Sequence, residues 1–166
     1  MPTQGYIRYR SDYKHQLAES YQITISIRPR DSIKTDYIDL DTTGILTVKK
    51  AYAWDGPSGP VVDTPQNMRA SLVHDALYQL MRNKKMSSRT HRKTADQLFL
   101  DMCKQDGVPT RTANLYYMAL RKFGKPAAAA ENKKKTHQAP ATQVSQKPGK
   151  ITTQSRKRNT YRSRKR

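Results

Sequence analysis

Residues 45–81 read ILTVKKAYAWDGPSGPVVDTPQNMRASLVHDALYQLM, and the fold turns on this stretch because its hydrophobic period changes midway. From Ile45 to Trp54, Leu46, Val48, Tyr52 and Trp54 fall on one face, interrupted by Lys50, which predicts one long strand. The loop Trp54-Asp55-Gly56-Pro57-Ser58-Gly59-Pro60 follows, stiffened by its prolines and given unusual backbone freedom by its glycines. Beyond it, Thr64 before Pro65 is a helix start, with a capping side chain and a proline at the first helical position. Met68, Leu72, Val73, Ala76, Leu77, Leu80 and Met81 then recur at helical spacing, and the helix should end near Asn83.

On the N-terminal side, Ile23, Ile25 and Ile27 alternate with Gln22, Thr24, Ser26 and Arg28, the pattern of a half-buried strand. Tyr6 to Glu19 has the makings of one or two weaker strands. Asp36 to Leu40 reads as another, and Asp41-Thr42-Thr43-Gly44 as the turn into the long one. A small antiparallel meander is expected. On the C-terminal side, Ser87 or Ser88 can cap a second helix carrying Ala95, Leu98, Phe99, Met102 and Cys103 on one face, stopped by Gly107. A third helix should run from Pro109 or Thr110 to Phe123, with Tyr116, Tyr117, Leu120 and Phe123 apolar, and Gly124 closing the domain. Strands followed by helices, without alternation, predict an α+β core over residues 1–124.

Charge divides the chain at the same place. The core carries a net +7 and residues 125–166 a net +12, so most of the total of +19 belongs to the C-terminal segment. That segment has no Leu, Phe, Trp or Met and cannot bury enough apolar surface to offset chain entropy, so it is expected to be a disordered, low-complexity tail. Its cationic end, with Arg156, Lys157, Arg158, Arg162, Arg164, Lys165 and Arg166, fits nucleic acid, where neutralised phosphates release counterions. An acidic protein surface or anionic lipid is the alternative partner. The single Cys103 excludes an intramolecular disulfide framework. Met1 to Arg8 has no apolar signal-like region, and no apolar run approaches the roughly 18 residues of a membrane span. A soluble product is expected.

The first helix carries the chemistry. Residues four apart stack on one face, so Tyr78 lies beside His74, while Asp75 projects about 100° away. An imidazole held by one partner can take a proton from water, while a neighbouring carboxylate holds a hard cation such as calcium. Asp96, on the second helix, can reach back to orient His74. The segment His74-Asp75-Ala76-Leu77-Tyr78 resembles the secreted and parvoviral phospholipases A2, with His-Asp-x-x-Tyr on one helix and an aspartate on an antiparallel partner. The resemblance implies His74 as base, Asp75 as calcium ligand and Tyr78 and Asp96 as orienting residues; separately, the glycine-containing loop offers Asp55 and Gly56 as further candidate ligands, since calcium takes carboxylates and backbone carbonyls. The glycine-rich calcium loop of that family has no match in residues 54–60. The competing reading is structural: Asp55, Ser58, His74, Tyr78 and Asp96 fasten loop to helices as a polar clamp, since buried polar groups must be hydrogen-bonded. Zinc ligation lacks ligand spacing, and Ser58 lacks the strand-elbow-helix context of a nucleophile.

Trp54-Asp55-Gly56-x-Ser58-x-Pro60, Ser71-Leu72-Val73-His74-Asp75-Ala76-Leu77-Tyr78, Arg92-Lys93-Thr94-Ala95-Asp96-Gln97-Leu98-Phe99 and Arg121-Lys122-Phe123-Gly124 together resemble a domain family of unknown function common in bacteriophage genomes, DUF1353. Its members often have glycine where this chain has Ala51. The resemblance implies a phage origin and no specific activity. The expectation is a virion-associated structural or accessory protein, in the virion or host cytoplasm, that docks on other phage proteins and contacts nucleic acid through its tail. The alternative is a calcium-dependent lipid hydrolase using the His-Asp pair, drawn to anionic lipid.

Overall fold

The computed structural model describes residues 9–12, 14–57 and 62–132, within a compact unit that ends at Lys134. Among the described residues seven short strands precede four helices: β1 (Tyr9–Asp12), β2 (Lys14–Leu17), β3 (Tyr21–Thr24), β4 (Ile33–Lys34), β5 (Ile38–Leu40), β6 (Ile45–Val48), β7 (Ala53–Trp54), α1 (Pro65–Arg82), α2 (Ser88–Gln105), α3 (Thr110–Phe123) and α4 (Lys125–Ala128). A single 3-10 turn, Ala130–Asn132, follows. The class is α+β, with antiparallel sheets.

The strands form two sheets where the sequence suggested one meander. One has the order β3-β6-β5-β4 and the other β1-β2-β7. In the first, Ile23 pairs with Leu46, Ile38 with Val48 and Leu40 with Leu46, so their inward side chains make a closed apolar face. The long strand read from Ile45 to Trp54 breaks after Val48. Ala51 adopts φ +70°, in the left-handed region, and its N–H donates to Leu17 O at 2.8 Å. The chain thereby changes sheets, and Trp54 pairs with His15 of β2. Alternation persists past the end of β3, because Ile25 and Ile27 are buried and Ile25 N–H still donates to Gly44 O at 2.8 Å. β4 has no sequence counterpart; two residues carry no period.

α1 is the centre of the molecule, packing on α2 and α4, while α2 packs on α3. The expected apolar stripe is buried, and so are Asn67, Arg69, Ser71, His74 and Tyr78, because neighbours cover the helix nearly all round. Asn67 Oδ1 accepts from Thr64 N–H at 3.0 Å and its Nδ2 donates to Val62 O at 2.9 Å, which fixes the helix start. The Arg69 guanidinium reaches Asp106 through two bonds of 2.8 and 2.7 Å and Tyr21 Oη at 3.1 Å, tying β3 to the end of α2. Ser87 caps α2, accepting from Thr90 N–H at 3.3 Å.

Two features at the C-terminal end go beyond the sequence reading. Phe123 is 67% exposed, because it lies off the face through which α3 meets α2. Packed structure also continues past Gly124: α4 buries Ala128 and receives Arg82 Nη1 on Ala127 O at 2.8 Å. Among the described residues no helix is long and apolar enough to cross a membrane. The tail residues Arg156, Lys157, Arg158, Arg162, Arg164, Lys165 and Arg166 lie outside the described residues, as do Ser58, Gly59 and Pro60.

Candidate functional site

Asp96 is the hub of the site. It enters from the buried face of α2, is 0% exposed, and receives donors from three helices. His74 Nε2 lies 3.0 Å from Asp96 Oδ1, and Tyr78 Oη donates to the same oxygen at 2.6 Å. Arg121 Nη1 donates to Oδ2 at 2.7 Å, and Arg92 Nη1 reaches it at 3.5 Å from one turn earlier on α2. A carboxylate offers about four lone-pair positions, so this one is saturated. Arg92 also bonds the end of α3, with Nη1 on Leu120 O at 3.1 Å.

Electrostatics follows from that arrangement. Burial works against the Asp96 carboxylate, but the hydrogen bonds from His74, Tyr78 and Arg121 outweigh it and hold the pKa below 3.8. An ionised Asp96 makes Nε2 the protonated, donating nitrogen of His74. Burial likewise disfavours a charged His74, yet Asp75 and Asp96 together raise its pKa above 6.5. The Tyr78 hydroxyl is pushed up by burial and by its bond to Asp96, so it remains a donor.

The other His74 nitrogen, Nδ1, lies 3.8 Å from Asp75 Oδ1, beyond hydrogen-bond reach. Ser71, His74, Asp75, Phe99, Tyr116 and Pro57 line a small cleft there, of about 10 Å³, room for one water. His74 itself is 6% exposed, with Tyr78 stacked at 4.0 Å between ring centroids and Phe99 edge-on at 5.4 Å.

The described part of the loop is held at Trp54 and Gly56. Trp54 Nε1 donates to Ser71 Oγ at 3.0 Å, so the tryptophan fastens the loop to α1. Gly56 has φ +78°, and a β-carbon there would lie 2.9 Å from the Asp63 carboxylate, which is itself 2.7 Å from His15 Nε2. Asp55 is exposed and lies, with Asp75, near buried Tyr52, whose hydroxyl is pushed up by burial and by both carboxylates. Calcium takes six to eight oxygens. Among the described residues no group of three or more His, Cys, Asp or Glu is gathered where it could hold a metal ion, and Gly56 is packed against Asp63.

The structure thus brings together His74, Tyr78 and Asp96, places Asp75 beside them and leaves Asp55 and Gly56 outside the cluster. Sequence reasoning assigned no role to Arg92 or Arg121. Arg92 had a local signal, standing four residues before Asp96 on the same helix. Arg121 had none, being 25 residues away in the chain.

Residues 33–120 match the model of a family described as a protein of unknown function (DUF1353), and the chain belongs to that family. No curated protein and no solved structure matches it. The matched segment runs from β4 into α3 and includes His74, Asp75, Tyr78, Arg92 and Asp96.

Proposed function

We propose that this DUF1353 protein is a non-catalytic structural or accessory component of a bacteriophage particle. Its core docks on other virion proteins, and its basic C-terminal segment binds nucleic acid or acidic protein surfaces. The observation that carries the reading is the saturated Asp96 carboxylate, bound by His74, Tyr78 and Arg121 beneath a one-water cleft. Such a cluster fixes three helices in a fold without disulfides, and a cleft of that size admits no acyl chain. Leu115, Met118 and Phe123, each more than 60% exposed along α3, supply apolar surface for docking. Quantitative mass spectrometry of purified particles and of infected-cell extract tests the reading. A fixed copy number per particle is expected; absence from particles with abundance in the extract would overturn it.

One observation favours a hydrolase instead. His74 and Asp75 both line the one-water cleft, and an imidazole nitrogen beside a held water is the placement a general base needs. In that reading Asp96 and Tyr78 position His74, and His74 deprotonates the water. Phospholipid hydrolysis by the parent chain beside His74→Ala separates the two readings.

A further inference from the structure

A groove lies between the segment that leads into and includes β4 and the turn that joins α1 to α2. The segment from Pro29 to Lys34 forms one wall, and Lys85, Met86 and His91 form the other, around a volume of about 590 Å³. Arg30, Lys34, Lys85 and His91 all line it, and Asp31 is the single acid in the lining. Arg30, Lys34 and Lys85 are exposed, and none of the three makes a side-chain hydrogen bond or ion pair among the described residues.

Their lack of partners is built into the fold. Asp39 stands opposite Lys34 in the β4–β5 ladder, but its carboxylate is taken by Lys49 Nζ at 2.9 Å and by Thr35 N–H at 3.2 Å. On the other wall, Lys84 adopts φ +57° at the end of α1, while Lys84 N–H and Lys85 N–H donate back to Met81 O and Leu80 O, each at 2.9 Å. This paired closure of the helix fixes the backbone from which Lys85 projects. No acid lies in the first turn of α2, where His91 follows.

We infer that this groove is a binding site for the phosphodiester backbone of nucleic acid, separate from the C-terminal segment. Three exposed cations on two walls, set against the single acid Asp31, match a polyanion, since neutralised phosphates release their counterions. No Phe, Tyr or Trp lines the groove, so the large aromatic anchors that dominate protein–protein contacts are missing from it. Without Phe, Tyr or Trp the groove offers little base stacking, so contact is largely independent of sequence. The inference does not rest on the tail binding nucleic acid.

The test is binding of the full chain to a mixed-sequence single-stranded oligonucleotide, measured by anisotropy across a range of salt. The triple variant Arg30→Gln, Lys34→Gln, Lys85→Gln should bind roughly tenfold or more weakly, with a salt slope shallower by about 2 for three lost phosphate contacts. A second variant, with Arg156, Lys157, Arg158, Arg162, Arg164, Lys165 and Arg166 replaced by Gln, isolates the tail; the groove effect should persist in that background. All three groove positions are exposed, so the variants should fold, and Lys85→Gln alone should give about a third of the slope change. An unchanged slope in the triple variant overturns the inference. So does poly-glutamate binding with the same dependence on the three cations, which would assign the groove to an acidic protein.

Discussion

Tyr78 and Gly124 meet where α1 faces the end of α3: a β-carbon on Gly124 would lie 2.8 Å from the Tyr78 hydroxyl. That hydroxyl is the one that donates to Asp96 at 2.6 Å. A glycine is required there by close approach, since its φ of −75° is open to any residue. The end of α3 is therefore fitted to the Asp96 cluster, which also takes Arg121 from the same turn.

Gly124→Ala should destabilise the protein by about 1–3 kcal/mol, the usual range for overpacking. Tyr78→Phe alone should cost about 1 kcal/mol through its lost hydrogen bond. In the double variant the penalty of the alanine should shrink, because the clashing oxygen is gone. Urea unfolding of the four chains measures the coupling, and an undiminished penalty would place the clash at Leu120 O, 2.6 Å from the same β-carbon.

Asp96→Asn should cost about 3–5 kcal/mol, since it strips the counter-charge from Arg121 and turns an amide donor toward other donors. Asp75→Asn, with no hydrogen bond under 3.5 Å to His74, should cost under about 1 kcal/mol. Equal penalties at the two positions would contradict the assignment of Asp96 as hub.

Stability should fall on both sides of a plateau between about pH 4 and 6.5. The folded His74 pKa is raised above 6.5, so its contribution is fully present below that value and is lost as pH rises through the folded one. The folded Asp96 pKa is depressed below 3.8, so its contribution is present above that value and is lost as pH falls through the folded one. Thermal unfolding across pH should show the alkaline flank flattened in His74→Gln, with the acid flank retained.

Ala51→Gly should stabilise the fold by about 1 kcal/mol, because an L-residue at φ +70° carries a left-handed backbone penalty that glycine avoids. The greater freedom of glycine in the unfolded chain opposes part of this gain. A fall in melting temperature would mean that the Ala51 methyl makes compensating contacts.

Periodicity made the helices legible. Met68 to Met81, Ala95 to Cys103 and the caps at Thr64 and Ser87 are local signals, and the helices follow them. The sheet break at Ala51 was not legible, because Leu46, Val48, Tyr52 and Trp54 are all buried and keep an even spacing through the change of sheet. His74 and Tyr78 stand four apart, and Asp96 sits on the inner face of the next helix, so that part of the cluster could be read. Arg121 and Gly124 could not be, since their positions depend on where α3 returns. The polar residues Asn67, Arg69 and Ser71 lie outside the apolar stripe and are nonetheless buried, each held by a specific hydrogen-bond partner.

The most direct test of the Asp96 cluster as a clamp is hydrolysis of anionic phospholipid vesicles by the purified protein, with and without calcium and beside His74→Ala, the folding of both checked by circular dichroism. No turnover above background in either condition, with His74→Ala less stable than the parent, is the expected result. Turnover by the parent that a folded His74→Ala chain lacks would contradict the account and make His74 a general base.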